Sequence, residues 1–91
     1  MPTPATPRDQ TAAAFGSVVR ARRLRAELTQ EALAERAGLS SKHVARVERG
    51  ERVPTIHAVL LLAAGLGTTA VELVGEFERA VTGLPEMHDR A

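Results

Sequence analysis

Ninety-one residues carry 12 Lys and Arg against 11 Asp and Glu, a formal net charge of +1, with no cysteine and only two aromatics, Phe15 and Phe77. That length gives one domain with a modest core, and the cysteine count excludes a disulfide framework and a cysteine zinc site and fits a reducing, cytoplasmic setting. Two aromatics are too few for a protein that stacks single-stranded bases; no apolar run reaches a membrane span, and no signal-peptide block opens the chain.

Residues 1–9 contain Pro2, Pro4 and Pro7 and almost nothing apolar, the composition of a disordered arm. Arg8 there is balanced by Asp9. A first helix is expected from residue 10 or 11 to 26, with Phe15, Val19 and Arg23 at helical spacing and Val18 beside them. Thr29 is placed to cap a second helix that starts at Gln30 and has Glu31 in its first turn. Leu33, Ala34 and Ala37 share one face of it, and the small Ala34 allows another helix to cross closely. Gly38 stands where that helix ends, a position that accepts positive φ. Leu39 then returns to the core, and Ser40 caps a third helix over 41–49, closed by Gly50. Val44 and Val47 are its inward positions; Ser41, Lys42, His43, Arg46 and Arg49 lie away from them.

Pro54 keeps Val53 extended. Thr55 caps a fourth helix over 56–66, stopped by Gly67. Thr68 or Thr69 caps a fifth over 70–81, followed by Gly83 and Pro85. The reading is all-α: a five-helix domain over 10–83 and a flexible tail over 84–91. Its expected core is Phe15, Val19, Leu28, Leu33, Ala34, Leu39, Val44, Val47, Ile56, Val59, Leu60, Ala63, Leu66 and Leu73.

The second and third helices, with the tight turn between them, form a helix-turn-helix, the unit that lays its second helix in the major groove of DNA. Charge distribution agrees. Residues 15–53 hold nine Lys and Arg against five acids, while residues 54–91 hold two against five. The basic half coincides with the two helices, as phosphate contact requires.

The register of Thr29-Gln30-Glu31, Leu33-Ala34, Gly38-Leu39-Ser40, Val44, Val47-Glu48 and Gly50 resembles the Cro/repressor type of helix-turn-helix protein, the XRE family. The resemblance covers about residues 15–74 and implies a compact, lambda-repressor-like fold. It also implies an ion pair between Arg23 on the first helix and Glu48 near the end of the third, a pairing suited to bidentate geometry. Gln30 stands where family members bind the DNA backbone and brace the recognition helix. Three positions depart from the family pattern: Glu27 replaces a glycine that usually ends the first helix, Arg22 replaces an apolar residue, and Leu61 lies on a face that is usually polar.

The expected function is sequence-specific binding of double-stranded DNA by a transcriptional regulator, as a homodimer on a two-fold operator. Ser41 and Lys42 should reach base edges, with His43 beside them; Arg46 should reach a base or a phosphate; Arg49 and Arg20 should contact phosphate. The apolar stripe Leu73, Val74, Phe77 and Val81, with Leu84 and Leu61 near it, is the expected dimer interface. Two other readings stay open: an antitoxin that binds a toxin and represses its own operon, and a protein-interaction module of the same fold. No enzyme is expected. His43, His57 and His88 are scattered, no acid lies at metal-ligand spacing, and Gly65-Leu66-Gly67 lacks the lysine of a phosphate loop. No metal or cofactor is expected.

Overall fold

Five helices follow one another in the computed structural model, which describes residues 7–81: α1 (Pro7–Arg25), α2 (Gln30–Ala37), α3 (Ser41–Glu48), α4 (Ile56–Gly65) and α5 (Ala70–Ala80). No strand occurs among the described residues. The helix starts follow from local chemistry. The hydroxyls of Thr29, Ser40, Thr55 and Thr69 accept the N–H groups of Ala32, His43, Ala58 and Glu72, each at 3.0–3.1 Å. Each bond satisfies a donor that has no partner inside its helix. Of the two candidate caps for α5, Thr69 serves; Thr68 instead donates to the Glu72 carboxylate at 2.8 Å.

α1 begins three residues earlier than its apolar spacing indicates. Proline needs no backbone N–H at the first helical position, and Asp9 in the first turn favours the positive end of the helix dipole. Residues 7–9 thus belong to the helix and not to an arm; residues 1–6 and the tail at 84–91 lie outside the described residues. At the other end Glu27 adopts φ 60°, the left-handed conformation that glycine adopts without strain. That conformation reverses the chain toward Thr29 at a cost of about 1 kcal/mol or more.

α1 lies across α3 and α5, α2 packs on both α3 and α4, and α4 meets α5 at a bend of 107°. Val19, Leu33, Val44, Val47, Leu62 and Leu73 are completely enclosed where these helices converge. Leu28, Leu39 and Leu66 are partly buried against them.

The phase of α4 differs from the expected one. Leu62 and Ala58 are buried, whereas Ile56 is 78% and Leu60 54% exposed. Three consecutive leucines leave that phase open by pattern alone. The crossing with α2 selects it: a Cβ on Gly65 would meet Leu33 Cδ1 at 3.0 Å and Ala37 Cβ at 3.1 Å. The side bearing Leu62 and Gly65 therefore faces inward, and Ile56 and Leu60 turn to the outer flank.

α5 also departs from expectation. Leu73 has no exposed surface, and Phe77 meets Phe15 edge to face with ring centroids 5.7 Å apart. Arg22 Nε donates to Glu76 Oε1 at 2.6 Å, and Arg25 lies 3.7 Å from the other oxygen of the same carboxylate. α5 is thus folded back on α1, with Leu73 enclosed as the core expectation has it and Phe77 partly buried against the core, so the stripe expected as the dimer interface is largely turned inward. Val74 remains partly exposed, and Val81 is half-buried at the end of the helix.

Candidate nucleic-acid interface

α2 and α3 are joined by the turn Gly38-Leu39-Ser40. Gly38 has φ 74°, and its N–H bonds back to Glu35 O at 3.3 Å while that of Leu39 reaches Ala34 O at 2.9 Å. A residue with a Cβ would be strained in this turn. The turn leaves α3 with its Val44–Val47 side in the core and Ser41, Lys42, Arg46 and Arg49 exposed. Lys42, Arg46 and Arg49 recur at spacings of four and three, so they form one cationic stripe along the helix. His43 is half-buried beside that stripe.

Two contacts hold α3 in place. The first is backbone against backbone. A Cβ on Gly16 of α1 would lie 2.3 Å from Val47 O and 2.8 Å from Glu48 O, so only glycine admits this approach. The second is polar. Arg23 Nε donates to Glu48 Oε2 at 2.6 Å and Nη2 donates to Oε1 at 3.0 Å, the bidentate geometry expected of this pair. Arg23 Nη1 also donates to Leu28 O at 2.8 Å, and Gln30 Nε2 donates to Glu48 Oε1 at 3.0 Å. The side chains of Arg23 and Glu48 are 9% and 2% exposed. The hydrogen bonds from Arg23 to Glu48 raise the guanidinium pKa, against the opposing effect of burial.

One carboxylate thus joins the ends of α1, α2 and α3. It also sets the orientation of Gln30: Glu48 only accepts, so the amide nitrogen of Gln30 must face it. Gln30 is half-buried at the start of α2, with its amide nitrogen hydrogen-bonded to Glu48.

The other expected contacts are distributed unevenly. Arg20 is exposed on α1, and Arg52 is exposed in the loop after α3. Among the described residues, Arg20, Lys42, Arg46 and Arg52 make no ion pair with a carboxylate. Arg49 does. Its Nε and Nη2 donate to Glu51 Oε2 and Oε1 at 2.6 and 3.3 Å. That contact is not among those expected from the sequence, although only Gly50 separates the partners. The pairing of Arg22 with Glu76, 54 residues apart, carries no local signal. Among the described residues no group of His, Asp and Glu is arranged to hold a metal ion, and no single helix is long and apolar enough to cross a membrane.

Known proteins resemble this chain in sequence and in fold. An uncharacterized HTH-type transcriptional regulator, y4dJ of Sinorhizobium fredii, is 46% identical over 54 residues, which are 57% of this chain and 70% of that protein. The crystal structure of the wild-type restriction-modification controller protein C.Esp1396I superposes with a TM-score of 0.71 at 26% identity, covering 77% of this chain and 91% of the other. The clp gene regulator ClgR from Corynebacterium glutamicum shares the fold, with a TM-score of 0.72 at 21% identity over 82% of this chain and 96% of its own. The family described as "Helix-turn-helix domain" matches residues 14–74, from the turn of α1 that carries Phe15 to the turn of α5 that carries Leu73. On the residues that build and brace the two-helix unit, the chain belongs to the helix-turn-helix domain family.

Proposed function

We propose that this protein is a transcriptional regulator that binds duplex DNA in a sequence-specific manner through α3, as a homodimer on a two-fold operator. The carrying observation is the pair of unneutralised cations Lys42 and Arg46 on the exposed side of a helix whose pose is fixed by Gly16 and by the Arg23–Glu48–Gln30 network. The N-terminal end of such a helix enters the groove most deeply. Ser41 and Lys42 are assigned to base edges, Lys42 donating to guanine O6 or N7, with His43 at the margin. Arg46 reaches a base or a phosphate one turn later. Arg20 and Arg49 meet phosphate, and so does the second N–H of the Gln30 amide. The reading contains no catalytic step.

The dimer surface is reassigned from the α5 stripe to the outer flank of α4 and the start of α5. Ile56 and Leu60 are one turn apart on α4, and Val71, 83% exposed, and Val74 lie on α5. They are the exposed large apolar side chains of these two helices, and they are the patch that a second copy covers. A second copy is the occupant that makes the patch meet itself across a two-fold axis and sets two recognition helices on one face of DNA.

Selection of duplexes from a random pool tests both parts. The wild-type protein should enrich an inverted repeat with half-sites about one helical turn apart. Lys42→Ala should lose preference at one position of each half-site. An unchanged motif would exclude Lys42 as a reader, and no enrichment would exclude sequence-specific binding. Leu60→Glu should give a folded monomer by light scattering; a persisting dimer would place the interface elsewhere.

A further inference from the structure

Among the described residues, Arg49 is the one member of the α3 cationic stripe held by a carboxylate. Glu51 grips its guanidinium by two nitrogens, the fork geometry with which arginine meets a phosphate. Glu51 also lines an open polar cleft with Arg8, Asp9 and Arg52, between the start of α1 and the loop after α3. Resting on the DNA-binding reading, we propose that Glu51 is an internal substitute for a backbone phosphate at Arg49, and that it sets how tightly this protein holds DNA irrespective of sequence.

The argument is one of exchange. Both side chains are about half exposed, so water and salt screen the pair and it is weak enough to open. A phosphate arriving at Arg49 must displace Glu51. The displaced carboxylate then faces the backbone unpaired and gathers a cation of its own. That uptake cancels the counterion which the phosphate would otherwise release. Arg49 therefore adds little to affinity or to its salt dependence while Glu51 is present, although its position at the end of α3 marks it as a phosphate contact. The Arg49 hydrogen bond lowers the Glu51 pKa, with the charges of Arg49 and Arg46 acting in the same direction, so the competitor stays ionised at neutral pH.

Binding of a duplex of arbitrary sequence, followed against salt, tests this on four full-length proteins: wild type, E51Q, R49A and the double variant. E51Q should bind about two- to five-fold more tightly at moderate salt. Its plot of log affinity against log salt should steepen by about 0.9. In the R49A background the same substitution should leave the slope unchanged. An equal gain with and without Arg49 would show that Glu51 merely repels DNA, and an E51Q protein indistinguishable from wild type would show that it does not compete; either result overturns the proposal. If wild type and E51Q bind no duplex even at low salt, the DNA-binding reading itself is wrong, and this inference with it. Because the pair is exposed, E51Q and wild type should melt alike, which separates the effect from folding.

Discussion

Replacing Glu48 by Gln removes a negative charge from a place where the side chain is 2% exposed and accepts three hydrogen bonds. A glutamine there presents one carbonyl oxygen and one NH2 group. The NH2 must face a donor of Arg23 or of Gln30, so at least one bond becomes a donor–donor contact. Removing one partner of a buried ion pair typically costs about 3–5 kcal/mol. Arg23 keeps its bond to Leu28 O, and the new carbonyl keeps one more, which reduces the expected loss to about 2–4 kcal/mol. For a domain of this size each kcal/mol moves Tm by about 4–8 °C. Glu48→Gln should therefore melt about 10–25 °C below the parent, followed by far-UV circular dichroism at one fixed protein concentration. Replacing Arg23 and Glu48 together by methionine should recover part of the loss, because no charge is then stranded. A drop of less than about 5 °C for Glu48→Gln would refute the reasoning, since on this scale it corresponds to a loss near that of an exposed pair.

Gly16→Ala should destabilise by about 1–3 kcal/mol or more, because the added methyl meets backbone carbonyls of α3 that have no rotamer to adopt; chemical denaturation reads the loss, and a variant as stable as wild type would contradict the close approach. Glu27→Gly should raise Tm by a few degrees, the relief of left-handed strain at φ 60° exceeding the entropy lost by glycine. Leu62→Ala should cost about 2–5 kcal/mol while Leu60→Ala, at a 54% exposed position, should leave protomer stability almost unchanged; equal losses would mean that α4 is turned otherwise.

The parts of this fold that were legible in the sequence are those governed by neighbours in the chain. Thr29, Ser40 and Thr55 announce helix starts because a cap acts over three residues, and Gly38 announces the turn because positive φ is a property of a single residue. Arg23 and Glu48 were found through resemblance, not spacing. Where two segments distant in sequence decide the outcome, local pattern carries no signal. The phase of α4 is chosen by α2 through Gly65. The face of α5 is chosen by Phe15 and Arg22, which hold Phe77 partly buried against the core and away from the expected interface; Leu73, expected both in the core and at that interface, is core. The stripe on α3 was read correctly as exposed, but exposure does not reveal that one of its cations is already occupied.

The contact between Gly16 and the carbonyls of Val47 and Glu48 has a consequence for how such a protein diversifies. It seats α3 by its main chain, which is the same whatever side chains α3 displays. Ser41, Lys42 and Arg46 share no hydrogen bond or ion pair with that seat, so these positions are free to change without disturbing the fold. A lineage could exchange its target sequence through a few substitutions on this face and keep the chassis intact. The same separation makes the domain a candidate for retargeting by design, with residues 41, 42 and 46 as the variable set and Gly16, Arg23, Gln30 and Glu48 held constant.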